Sequence, residues 1–157
     1  MAIKCAKKFV KDEKFLVQLG SDIFEKDFKN EICIFEKNSF DAMVIVHKAK
    51  EIHLHGMALI REGKLRKVIE KPKKAVSNWV LTGCYFFSSK IFDAVDITIK
   101  SKIPLNKGEI VITDVIQTMI ESGDNVHILK YSGKWEALRM KKSMERIASL
   151  IIKSGLI

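Results

Sequence analysis

Glu70 and Lys71 place a carboxylate and an ammonium side by side, immediately before Pro72. Proline has no N–H to give a sheet ladder, so a half-polar strand running from Lys64 ends at this pair. A carboxylate accepts hydrogen bonds from neighbouring hydroxyls, and a lysine ammonium is a movable point charge suited to phosphate. As a lone dipeptide, Glu70-Lys71 reads more simply as a surface ion pair. A second carboxylate, Asp22, follows Leu19-Gly20-Ser21 at the end of another apolar run. There it could bind a metal, or only turn the chain. His53 and His55 alternate around Leu54, with His47 not far off. Two imidazoles on one face of a strand could hold a metal, but no Cys or carboxylate stands at zinc-ligand spacing. Gly83 interrupts the apolar run Trp79 to Phe87, and a strand glycine lets a ligand or another backbone come close.

These residues need a sheet to carry them. The run from Trp79 to Phe87 is apolar and rich in aromatic and β-branched types, as suits a strand buried on both faces of an α/β sheet. Ligands of open α/β sheets bind at strand ends, where Glu70 and Lys71 are expected. Phe15 to Leu19 and Asp41 to Val46 read as further buried strands, and Asn125 to Tyr131 as another. Met57 to Glu62 and Leu65 to Glu70 form a hairpin around Glu62-Gly63-Lys64. Helical spacing is found over Met1 to Lys11. It recurs over Asp27 to Asn38, with Phe28, Ile32, Ile34 and Phe35 apolar, and over Lys141 to Ser154. Ser88 or Ser89 caps a short helix reaching Val95. Thr113 or Asp114 opens another that ends near Ser122, with Gly123 after it.

Composition narrows the class. With 157 residues, 30% charged and 47% hydrophobic, the chain is expected to be a single globular domain with its own core. No apolar run approaches the roughly 20 residues of a membrane span. The three cysteines, Cys5, Cys33 and Cys84, are scattered and odd in number, which fits reduced, buried thiols in a cytoplasmic protein. The net charge of +9 is spread along the chain among acidic residues. It forms no nucleic-acid-binding motif, so a solvated basic surface with a phosphate-binding cleft is expected.

Ile69-Glu70-Lys71-Pro72, Ser77-Asn78-Trp79 and Thr82-Gly83-Cys84-Tyr85-Phe86-Phe87 together resemble the sugar nucleotidyltransferases, the glucose-1-phosphate thymidylyltransferases and related NDP-sugar pyrophosphorylases. So does Lys107-Gly108-Glu109-Ile110-Val111-Ile112-Thr113-Asp114. The resemblance covers Phe9 to about Ile152. It implies a Rossmann-like α/β fold, a three-layer sandwich around a mixed sheet, and places the chain as a single partial domain, residues 1–157, from the C-terminal part of the family's nucleotide-diphospho-sugar transferase domain. It implies an enzyme that joins an NTP to a sugar 1-phosphate with Mg²⁺. It also implies that Glu70 meets sugar hydroxyls, that Lys71 approaches the phosphate, and that His55, Gly56, Gly83 and Tyr85 border the sugar.

Three departures temper this expectation. Leu19, Gly20, Ile23 and Phe24 set a register that puts Ser21 where the family's first metal Asp belongs, with Asp22 one residue late as the candidate metal ligand. Trp135 sets a register that puts Ala137 where the second belongs, and Arg139-Met140 replaces Gly-Thr. No Gly-rich phosphate loop is found. The expectation is therefore a degenerate member that binds a sugar 1-phosphate or sugar nucleotide but neither holds Mg²⁺ nor catalyses by itself. The alternatives are a regulatory subunit of a full-length homologue, or an enzyme completed by a second chain. The apolar Phe15 to Leu19 edge points to a homo-oligomer.

Overall fold

The computed structural model describes residues 2–49, 52–101, 109–138, 144, 145, 147, 148 and 152. The expected central strand is β6, Trp79–Phe87, and every residue after Trp79 is buried. It is apolar but for Thr82, whose hydroxyl donates to Ile45 C=O at 3.0 Å, because both faces are covered and both edges are paired. β3, Ala42–Lys48, runs antiparallel to it along one edge. On the other edge, β1, Phe15–Gln18, pairs with its second half, and β4, Met57–Arg61, touches its first half at Met57 and Val80. β5, Lys64–Ile69, pairs with β4, and β7, Val126–Lys130, lies parallel to β3. The sheet is mixed, in the order β5-β4-β6-β3-β7.

The β4–β5 hairpin closes through Glu62 and Gly63, with φ of 51° and 72°. Positive φ at both central residues is the requirement of a type I′ turn, whose twist matches that of the strands it joins.

Alternation along β6 divides the core. Leu81, Tyr85 and Phe87 face one layer, with helices α4, Lys90–Lys100, and α5, Ile112–Glu121. Short helices α1, Ala2–Cys5, and α2, Lys7–Val10, add Ile3 and Val10 to it. Val80, Cys84 and Phe86 face the other layer. That layer holds α3, Lys29–Lys37, and a two-stranded ribbon of β2, Asp22–Phe24, and β8, Trp135–Ala137. Each fully buried large side chain here, such as Phe87 or Ile91, contributes about 1.5–3 kcal/mol through burial.

Several elements differ from expectation. β1 is half-exposed, because only alternate residues face the core, and Leu16 and Leu19 remain 38% and 40% exposed. In α3 only Phe35 is buried, while Ile32 and Ile34 face outward. His53 lies in a 3-10 turn, Ile52–Leu54, so His53 and His55 do not share a strand face. α4 continues to Lys100, five residues past the expected end at Val95. α5 begins at Ile112, with the Asp114 carboxylate accepting from Val111 N–H at 2.9 Å. Cys5 and Cys33 are exposed, and only Cys84 is buried. Arg139-Met140 and most of the expected helix from Lys141 to Ser154 lie outside the described residues.

Candidate functional site

β5 ends at Ile69, and Glu70 and Lys71 follow it where Pro72 stops the ladder. α5 packs along β5 and brings Thr113 in its first turn to Glu70. Thr113 Oγ1 donates to Glu70 Oε2 at 2.7 Å. Lys71 Nζ stands 3.8 Å from Glu70 Oε1, with the Lys71 side chain half-exposed and that of Glu70 14% exposed. Thus one carboxylate oxygen is pinned by a hydroxyl and the other faces an ammonium.

Backbone geometry contributes as well. Lys71 has φ of 38°, in the left-handed region that non-glycine residues avoid. Such strain costs on the order of 1–3 kcal/mol and persists only where the surroundings enforce it. Gly56, just before β4, backs onto the same cluster. A Cβ there would lie 3.1 Å from Thr113 Oγ1 and 3.2 Å from Glu70 Oε2. Gly56 thereby leaves room for the Thr113–Glu70 contact. Asp114, next along α5, is buried, and burial pushes its carboxyl above the usual range. The nearby Glu70 charge adds to this, against the Val111 N–H, which favours the ionised form.

The remaining candidate residues gather elsewhere. Asp22 is 2% exposed and lies directly opposite Ala137 in the β2–β8 ribbon. Its Oδ1 accepts from Gly83 N–H at 3.1 Å and from Trp135 Nε1 at 2.7 Å, and its Oδ2 accepts from Ser21 Oγ at 3.0 Å. Gly83 sits in an irregularity of β6, where Tyr85 pairs with Val44 and Leu81 with Val46. A Cβ on Gly83 would come 2.4 Å from Asp22 Oδ2. The glycine thus serves the close approach of a carboxylate from its own chain. His55 is buried with its ring 5.0 Å from that of Trp135, and the His47 ring lies 5.7 Å from the same indole. Tyr85 is buried in the helix-side core, its ring 6.0 Å from Phe87. The structure therefore joins Glu70, Lys71 and Gly56 to Thr113, and joins Asp22 and Gly83 to Trp135. Sequence reasoning passed over Thr113; its only signal was the Ile112-Thr113-Asp114 match. Surface cavities of about 410 Å³ beside Tyr131 and about 430 Å³ beside His127 are lined by other residues.

The nucleotidyl transferase family model matches residues 1–152. The chain belongs to the nucleotidyl transferase family. It is 32% identical over 136 residues to the low-salt glycan biosynthesis nucleotidyltransferase Agl11 of Haloferax volcanii, covering 86% of this chain and 37% of that protein. It is 30% identical over 125 residues to the UTP–glucose-1-phosphate uridylyltransferase AglF of the same organism, covering 78% of this chain and 50% of that protein. A candidate glucose-1-phosphate thymidylyltransferase of Bacillus anthracis, solved with sucrose, superposes with a TM-score of 0.83 at 28% identity, over 95% of this chain and 58% of that one. This nucleotidyl transferase chain thus spans half or less of the length of those two curated relatives.

The resemblance implies Mg²⁺, and the donors present do not fit one. Magnesium requires near-octahedral oxygen ligands, usually including one or two free carboxylates. Both Asp22 oxygens are already engaged by N–H and O–H donors, and Ala137 opposite offers none. Among the described residues no three His, Cys, Asp or Glu side chains gather closely enough to hold a metal ion. Among the described residues, too, no helix is long and apolar enough to cross a membrane.

Proposed function

We propose that this nucleotidyl transferase chain binds a sugar 1-phosphate or the matching part of a sugar nucleotide at Glu70, Lys71, Gly56 and Thr113. The observation that carries the reading is the 2.7 Å Thr113–Glu70 hydrogen bond beside the strained Lys71 backbone. It fixes Glu70 Oε2 and leaves Oε1 to accept from a sugar hydroxyl. Lys71, half-exposed on a flexible stem, reaches a phosphate. Charge-assisted hydrogen bonds of this kind are roughly twice as strong as neutral ones. Catalysis of nucleotidyl transfer needs positive charge on the phosphates, and the Asp22 and Ala137 arrangement does not supply a metal. By itself, then, the 157-residue chain is a binding module. Calorimetry with glucose 1-phosphate, paired with a pyrophosphate-release assay using UTP or dTTP and Mg²⁺, tests this reading. Saturable binding without turnover is expected. Turnover above a Glu70→Ala control, or no binding, would overturn it.

A second reading concerns assembly, and β1 favours it. Among the described residues its outer edge pairs with no strand, and it exposes Leu16 and neighbouring Leu19. An antiparallel edge is self-complementary under two-fold symmetry, so a second copy of this chain fits it through β1. Such a dimer, or docking of a full-length homologue on that edge, makes the chain an interaction subunit.

A further inference from the structure

The short helices α1 and α2 lie along one face of α4. Lys4 Nζ meets Asp96 Oδ1 at 2.6 Å, and Lys7 Nζ stands 5.8 Å from the centre of the Phe92 ring. Phe92 and Asp96 are one helical turn apart and so share a face of α4. Ile3 and Val10 pack, half-buried, against the same core layer. No residue of either short helix is fully buried, and Phe9 points outward.

Each of these helices has 4 residues. That is far below the roughly 12–15 at which isolated helices become even marginal in water. Phe9 N–H and Val10 N–H donate to Ala6 C=O at 2.9 and 3.0 Å, and such bonds persist only while the helices are docked. The chain leaves α2 through a sharp turn, in which Glu13 N–H donates to Val10 C=O at 3.1 Å. Lys11 is the first central residue of that turn, with φ of 53° and ψ of −121°. These are the angles of the type II′ position, which glycine adopts freely and a Cβ resists. A strained residue is thus held by shallow contacts: one exposed ion pair, one cation over a ring and two half-buried apolar side chains.

We propose that α1 and α2 form a strap, hinged at Lys11, that opens from α4 while the sheet stays folded. Opening releases the strain at Lys11. It bares Phe92 and the Phe15 ring, which stacks on Phe92 at 5.6 Å. Phe15 begins β1, so the strap governs access to an aromatic surface beside that strand. β6, buried on both faces and paired on both edges, opens only with the whole fold. The strap is independent of the sugar-phosphate reading, because none of its residues belongs to the Glu70 cluster.

Native-state hydrogen exchange in low urea, followed amide by amide by NMR, tests this on the wild-type chain, Lys11→Gly and Lys4→Gln. The Phe9 and Val10 amides are expected to be protected, yet to exchange far faster than those of β6. Their rates should not respond to low urea, because a local opening exposes little surface. Lys11→Gly should slow their exchange at least about threefold, since glycine holds the closed turn without strain. Lys4→Gln should speed it about twofold by removing the Asp96 pair. Fluorescence of added anilinonaphthalene sulfonate, which reports bared apolar surface, should follow the same order and be lowest in Lys11→Gly. A merely frayed segment would exchange as fast or faster with glycine at the hinge. That result, unprotected Phe9 and Val10 amides, exchange of these amides only together with β6, or dye fluorescence in a different order would overturn the proposal.

Discussion

The Trp135 indole N–H donates to the Asp22 carboxylate at 2.7 Å across 113 positions of sequence. This contact ties the two strands of the ribbon together and anchors the ribbon to β6, because the same Asp22 oxygen also accepts from Gly83 N–H. Removing a buried acceptor strands its donors, at about 1–3 kcal/mol for each group left unpaired. Asp22→Ala is therefore expected to lower stability by roughly 2–5 kcal/mol in urea unfolding, and Trp135→Phe by less. Gly83→Ala should also be costly, since its Cβ would meet Asp22 Oδ2, whereas Gly20→Ala, with nothing within 4 Å, should be near neutral. Equal effects at Gly83 and Gly20 would show that the Asp22 contact does not constrain the backbone.

Cysteine reactivity offers an independent check on the core. Burial, reinforced by the Asp22 and Glu31 charges, pushes the Cys84 thiol up to about 12. The thiolate is the reacting species, so Cys84 stays inert near neutral pH. Iodoacetamide at pH 8 should modify Cys5 and Cys33 in the native protein, and Cys84 only after denaturation. Mass spectrometry of the labelled chain reads this directly. Rapid native labelling of Cys84 would contradict the packing of Phe86 and Cys84 against the ribbon.

Asp114 predicts a pH dependence. Its carboxyl is raised by burial, so the folded state binds a proton more readily than the unfolded state does. The cost is carried by the charged form, present in full above the folded pKa and relieved as pH falls through it. Asp114→Asn keeps an oxygen for the Val111 N–H and removes the buried charge. The variant should gain stability relative to wild type at neutral pH, and the gain should shrink toward pH 3. A gain that grew on acidification would reverse the sign of this argument.

At the candidate sugar-phosphate site, Lys71→Ala should weaken glucose 1-phosphate binding by roughly 1–3 kcal/mol, the usual loss for a charge-assisted hydrogen bond. Thr113→Val should cost about 1 kcal/mol, and Thr113→Ser, which retains the hydroxyl, should restore most of it. Intact binding in both Lys71→Ala and Thr113→Val would place the ligand elsewhere.

If β1 pairs two copies, Leu16→Lys should convert a dimer to a monomer in sedimentation at micromolar concentration, because charge on an edge strand opposes pairing. A wild-type monomer would show that this edge stays unpaired in solution.

Much of the frame was legible from local chemistry. The apolar run Trp79 to Phe87 announces a central strand because a strand covered on both faces has no need of polar residues. Pro72 ends the hairpin by lacking a donor, and Glu62-Gly63 turns it because a two-residue turn needs positive φ. Glu70 and Lys71 were visible as a pair, since their chemistry depends only on adjacency. What each side chain meets was decided in three dimensions. Nothing near Thr113 in sequence says that it will reach Glu70, 43 positions away. Gly83 reads as room for a ligand, yet the space is taken by Asp22, because an irregularity in β6 and a ribbon built from two distant segments meet there. Periodicity gives a residue's direction from its own backbone, not the group packed opposite, and that opposing group is set only when the sheet, helices and ribbon close on one another.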